Sequence, residues 1–230
     1  MREQTFNEEL ANTATHGFGV VLSIAALVVL VVIAGFEGNT WQAVSFSIYG
    51  LTLITLYLSS TLYHSFFSPR IKHIFKLADH SAIFLLIAGT YTPFALVCLR
   101  DPWGWTFFGL IWGFAILGIA LTLFFFERYR RLFTLLYLIM GWLGVFLFKP
   151  LLTVIPLEGV LCLVGGGVFY TLGVIFFLRG NLRYGHAVWH IFVLAGSICH
   201  FIGILLYVLP GSQPERVRTC RKEPLLFPRS

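Results

Sequence analysis

The chain has 230 residues, 58% of them hydrophobic and 11% charged, with Lys+Arg 16 against Asp+Glu 10 for a formal net charge of +6. Soluble domains hold about 45–50% apolar and about 25% charged residues, so an ordinary soluble globular protein is excluded. The apolar residues run together long enough for helices of about 20 residues to cross a hydrocarbon core of roughly 30 Å. Residues 17–36 and 161–178 also lack the alternation of a transmembrane β-strand, which excludes a barrel.

The expectation is an all-α integral membrane bundle of seven transmembrane helices, with spans near 17–36, 42–63, 77–99, 104–126, 132–149, 159–178 and 187–209. Short links such as Glu37-Gly38-Asn39 and Asp101-Pro102 join them. Residues 1–16 read as a short cytoplasmic N-terminal segment, 17–209 as the transmembrane domain, and 210–230 as a basic polar tail. The first segment carries Glu3, Glu8 and Glu9 and lacks a basic n-region, so the first span is expected to be retained rather than cleaved as a signal. Pro93 in Gly89-Thr90-Tyr91-Thr92-Pro93 is expected to kink the third span and open a gap for a lipid chain. Gly165-Gly166-Gly167 reads as a site of close helix approach. Trp41, Trp103, Trp105 and Trp189 read as interfacial anchors. Cys98, Cys162, Cys199 and Cys220 stand singly without metal-ligand spacing and read as small apolar residues.

Placing the N-terminus inside puts Arg2, Arg70, Lys72, Lys76, Arg128, Arg130, Arg131, Arg179 and Arg183 in cytoplasmic segments. Only Arg100 and Lys149 then fall in the outer loops, as the positive-inside rule prefers. An odd number of spans then places the C-terminus outside, against the charge of Arg216, Arg218, Arg221, Lys222 and Arg229 in the tail. The expected location is the inner or plasma membrane, with membrane lipid as partner. Basic and aromatic residues are not interleaved in the way that would signal a nucleic-acid partner, and no protein partner is legible.

Ionisable side chains inside spans are costly and mark functional sites by default. His186-Ala187-Val188-Trp189-His190 places two imidazoles one helical turn apart on one face, so that both can reach one ion. The competing reading is a pair of interfacial histidines at a helix start. Topology adds more: the second span ends inside at His64, the third begins inside at Asp79, and the seventh begins inside at His186. Three imidazoles and a carboxylate therefore share one membrane depth. Three protein ligands and one open position is the catalytic form of a zinc site. Asp79 reads as a fourth ligand, a general base, or a structural carboxylate at a helix N-terminus. Ser60, one turn deeper than His64, reads as a group orienting the carboxylate or as a plain helix–helix hydrogen bond. His16 opens the first span at the same level, His80 points about 100° away from Asp79, and His73 lies in a loop. His200 sits about 15 Å deeper than His190 and cannot share that ion.

Ser59-Ser60-Thr61-Leu62-Tyr63-His64, the stretch Leu77-Ala78-Asp79-His80-Ser81 through Pro93-Phe94, and residues 186–201 starting His186-Ala187-Val188-Trp189-His190 resemble the hemolysin III family. This is the bacterial branch of the progestin and adipoQ receptor family, which includes adiponectin receptors. The opening Glu8-Glu9-Leu10-Ala11-Asn12 through Gly19 fits as well, so the resemblance runs from about residue 8 to residue 209. It implies a seven-helix bundle with the N-terminus inside and zinc near the cytoplasmic face. The family's ligands fall on His64, His186 and His190, with Asp79 where a zinc-bound water is held and Ser60 as the neighbouring motif serine. Receptor relatives resemble metal-dependent amidases acting on ceramide, and the bacterial branch takes its name from a cytolytic property.

Three functions compete. One is a zinc hydrolase of a lipid amide or ester, whose general base must come from another helix because Ala187 stands where HExxH has glutamate. Another is a cytolytic pore, although the spans lack a polar stripe. The last is a receptor or regulator of lipid state in which zinc is structural.

Overall fold

The computed structural model describes residues 4–209, and the expected basic tail, with Cys220, lies outside them. The described chain runs through α1 (Phe6–Glu37), α2 (Thr40–Ser65), α3 (Pro69–Pro93) with a π-helical turn (Phe94–Cys98), α4 (Pro102–Trp142), α5 (Val145–Leu151), α6 (Leu157–Leu178) and α7 (Gly185–Tyr207). Six helical stretches among the described residues are long and apolar enough to cross a membrane: Phe6–Phe36, Thr40–Ser65, Pro69–Cys98, Pro102–Leu151, Leu157–Leu178 and Gly185–Tyr207. Large apolar side chains such as Phe124, 79% exposed, cover the outer faces, as a lipid-facing bundle requires.

Local chemistry sets the helix starts. Thr5 and Glu8 close a reciprocal capping box at α1, and Asn39 and Gln42 do the same at α2. Pro69 and Pro102 occupy first-turn positions where a missing N–H costs nothing. The box at Thr5 starts α1 at Phe6, so most of the expected N-terminal segment continues the first span as helix. Pro69 starts α3 ahead of the expected third span, so His73 lies on that helix, exposed, rather than in a loop.

The fourth stretch departs most from expectation. Pro102–Leu151 covers both the fourth and fifth expected spans in 50 residues. Tyr129 has non-helical φ −125° and ψ 34°, and the chain folds back there. The Tyr91 ring meets Phe107 at 5.3 Å, while its hydroxyl accepts from Gly144 N–H at 2.9 Å. On a straight helix those two partners would stand roughly 55 Å apart at 1.5 Å per residue.

α1 packs along α2, α2 along α3, and α6 along α7, while α7 closes against α1 and α4 meets α6 sparsely. Small residues allow the close approaches, because lipid supplies no hydrophobic drive between helices. A methyl at Gly89 would run into Thr52, and one at Gly166 into the His200 ring. At the end remote from His64, Gln42 donates to the Val208 carbonyl at 3.1 Å and ties α2 to the end of α7. Trp41 stacks edge-on against Trp105 there, beneath the Arg100 guanidinium. Trp189 instead turns inward onto Phe177 at 5.6 Å. Pro93 and its neighbours Thr90–Val97 are buried, and Thr90 and Tyr91 line an internal cavity. The π turn takes up the geometry that proline disrupts.

Candidate metal centre

α2 delivers His64 from its last turn, and α7 delivers His186 and His190 from its first two. One ring nitrogen from each lies within 4.8 Å of the other two. Two nitrogens on a tetrahedral zinc stand roughly 3.3 Å apart, so this spacing is within side-chain adjustment of a shared ion. His64 and His190 are 2% and 1% exposed.

The hydrogen bonds decide which nitrogen faces the centre. His64 Nδ1 lies 2.6 Å from Glu9 Oε2, and a carboxylate only accepts, so Nδ1 carries the proton. His190 Nδ1 lies 3.3 Å from the Asn12 carbonyl and 3.1 Å from Thr15 Oγ1, which fixes its proton in the same way. Nε2 of His64 is then a lone pair, and it is buried with no partner, as is Nε2 of His186. Buried polar atoms are nearly always satisfied, so two unpartnered ring nitrogens in one close group of three imidazoles fit a cation. Imidazoles oriented through their second nitrogen by a carboxylate or carbonyl are the usual support of such a site. The residues therefore fit a metal ion, on the evidence of the donor set itself.

Glu9 also accepts from Lys72 Nζ at 2.7 Å, which anchors it between α1, α2 and α3. Glu8 accepts from the Tyr184 backbone N–H at 3.0 Å. Tyr184 has a positive φ of 57° and caps α7, so Glu8 steadies the strained turn that aims His186. Sequence reading passed over Glu9, Asn12 and Thr15. Their signal was present: residues 9, 12 and 16 share one helical face, visible once the first span is continued back to Phe6.

Asp79 is buried at 7% exposure, and no oxygen of it joins the three-nitrogen group. It lines a cavity with Ser60, whose Oγ is buried without a hydrogen bond of ordinary geometry although Asp79 is its electrostatic neighbour. His16 stacks on His190 with ring centres 3.5 Å apart, and both its nitrogens are buried without partners. His80 is buried, with Nδ1 donating to the Lys76 carbonyl at 2.9 Å and lying 3.7 Å from Asp79. His200 keeps apart and donates from Nε2 to the Leu163 carbonyl at 3.0 Å.

Two cavities meet at the cluster. One, of about 120 Å³, runs between α3, α4, α5, α6 and α7 from Asp79 and His190 to His200, along Ile83, Leu138, Val145 and Val164. The other, of about 380 Å³, is a polar vestibule bounded by Glu8, Glu9, Lys72, Arg130 and Arg179, with His64 and His186 in its wall.

The fold and this centre define a class: a multi-pass helical membrane protein with a buried tri-histidine cluster at one end. Residues 4–201 match the family described as Haemolysin-III related, and the chain belongs to it. It is 48% identical over 207 residues to Hemolysin-3 of Bacillus cereus, covering 90% of this chain and 94% of that one. Against the Hemolysin-3 homolog of Bacillus subtilis (strain 168) it is 45% identical over 203 residues, 88% and 95% of the two chains. The human Monocyte to macrophage differentiation factor is 29% identical over 213 residues, 89% of this chain and 86% of that protein.

Proposed function

We propose that this protein is a membrane-embedded zinc hydrolase that cleaves an amide or ester bond in a lipid. One observation carries the reading: the tri-histidine cluster, with two orphan Nε2 atoms, stands where an apolar chamber meets a polar vestibule. His64, His186 and His190 would hold the ion. A zinc bound by three protein groups lowers the pKa of water in its open position and polarises a substrate carbonyl. Asp79 is the base that takes the proton, since Ala187 leaves α7 without one. Ser60, beside it, orients the carboxylate. The chamber receives the acyl chain, and the vestibule admits water and releases the polar product. A structural zinc would call for a fourth protein ligand, and Asp79 lies outside the three-nitrogen group.

The reading includes seven crossings with the N-terminus cytoplasmic and the C-terminus outside. The fold-back at Tyr129 supports it, because it turns Pro102–Leu151 into two antiparallel halves of spanning length.

The test is zinc content and hydrolysis of long-chain amides and esters in purified protein. Wild type is expected to hold about one zinc, and the His186→Ala/His190→Ala variant to lose it. Asp79→Asn should keep the zinc and lose about 10²–10⁴-fold in rate. Metal-replete wild type that turns over no long-chain amide or ester sinks the proposal.

A further inference from the structure

His200 stands about 15 Å along α7 from His190 at 1.5 Å per residue, and it lines the far end of the apolar chamber, 6% exposed. Its two ring nitrogens are not alike. Nε2 lies 3.0 Å from the Leu163 carbonyl, which only accepts, so Nε2 carries the ring proton. Gly166 leaves no room for a methyl beside that edge, so the ring is held against α6. Nδ1 of the neutral ring is then a lone pair, and it is buried without a partner.

The hydroxyls nearby are engaged with one another. The Tyr170 ring lies 5.5 Å from that of His200, but its hydroxyl pairs with Ser197 Oγ at 2.9 Å, and Ser197 also accepts from the Tyr57 hydroxyl at 2.8 Å. Of the described side chains that line the chamber, His16, Ser60 and His186 also hold unpartnered buried atoms, and all three stand at the cluster's end. His200 Nδ1 is thus the one open acceptor of the far end, on a wall where Val193 and Leu163 are apolar. A plain hydrocarbon chain laid along it would exclude water and offer no donor, which is a costly state for a buried polar atom.

We propose that His200 Nδ1 accepts a hydrogen bond from a hydroxyl carried partway along the acyl chain in the chamber, so that the site selects lipids with a mid-chain hydroxyl over plain ones. A site that hydrogen-bonds a hydroxyl discriminates against the analogue lacking it, because the acceptor is then left dry and unpaired. An extended chain covers about 1.2 Å per bond, so 15 Å puts the hydroxyl about a dozen carbons from the group at the metal centre. The inference rests on the reading of the chamber as an acyl-chain site, and not on turnover.

The test is equilibrium binding of tritiated stearate, 12-hydroxystearate and 6-hydroxystearate to the zinc-loaded full-length protein in detergent. In wild type, 12-hydroxystearate is expected to bind about tenfold tighter than stearate, and 6-hydroxystearate no tighter than stearate. His200→Phe keeps a ring against Gly166 and removes the acceptor, so it should abolish the preference and leave zinc content unchanged. His200→Gln, which keeps an acceptor, should retain part of it. Equal binding of stearate and 12-hydroxystearate by wild type overturns the proposal and leaves the chamber an acyl-chain site, and this comparison needs no variant. A preference that survives in His200→Phe, or 6-hydroxystearate binding as tightly as 12-hydroxystearate, overturns it as well. Binding of none of the three acids overturns the proposal together with the chamber reading beneath it, whereas selective binding without hydrolysis of the matching amides sinks the hydrolase reading alone.

Discussion

A ligand histidine is only as good as the group that holds its other nitrogen. Glu9 fixes the His64 tautomer through a 2.6 Å hydrogen bond while Lys72 holds the same carboxylate from the far side. Replacing Glu9 with Gln leaves the shape and removes the charge that makes His64 a strong donor. If His64 ligates zinc as proposed, the expected result is a loss of about 10–100-fold in zinc affinity, read by competition with a chelator, with the helical content intact. Glu127→Gln, which unpairs Lys76 on the vestibule rim, should leave zinc affinity near wild type. Equal effects of the two substitutions would show that general charge, and not the hydrogen bond to His64, sets the affinity.

Between elements, packing depends on where small residues fall. Gly166 sits against the His200 ring on α7, so a methyl there cannot be placed without moving that ring. Gly165, one residue earlier, has open space where its methyl would go. Gly166→Ala should cost about 1–3 kcal/mol through overpacking, and Gly165→Ala should be neutral or raise stability by up to about 1 kcal/mol. Thermal unfolding of the detergent-solubilised protein compares the two. The triple glycine was legible as a packing site, but which of its members carries the contact was not, because that depends on the rotation of α6 against α7. The histidines show the same division. His64, His186 and His190 were legible because HxxxH and the direction of the spans put them at one depth. The role of residues 9–15 was not, because polar residues ahead of an apolar run read as a loop until the capping box at Thr5 makes them helix. The chamber was illegible for a further reason: it opens along the sparse seam between α4 and α6, a property of two elements that no single segment carries.

At the scale of the whole molecule, the site bears on the proposed topology as much as the charges do. α1 brings Glu9, α2 ends at His64 and α7 begins at His186, so the N-terminal side of α1 lies at the same end of the bundle as the cluster. Arg70, Lys72, Lys76, Arg130, Arg179 and Arg183 lie in or beside the links at that end, and Arg100 and Lys149 in those at the other. By the positive-inside rule, the proposed orientation has the cluster's end on the cytoplasmic side. The remaining question is whether Pro102–Leu151 crosses once or twice, and it decides the side of the C-terminus. Two crossings need a polar turn at the membrane surface, and Glu127 through Arg131 at the Tyr129 break supply it. A single crossing would have to hide 50 residues of helix in a hydrocarbon core that about 20 fill. Cysteines introduced singly at Tyr129 and at Ser212, in a chain whose native cysteines are replaced, should therefore respond oppositely to an impermeant maleimide applied to intact cells. The Ser212→Cys chain is expected to be labelled, and the Tyr129→Cys chain only after the cells are opened. Labelling of neither from outside would put the tail on the cluster's side and return the chain to six crossings, and labelling of both would put the turn at Tyr129 on the side that two crossings forbid.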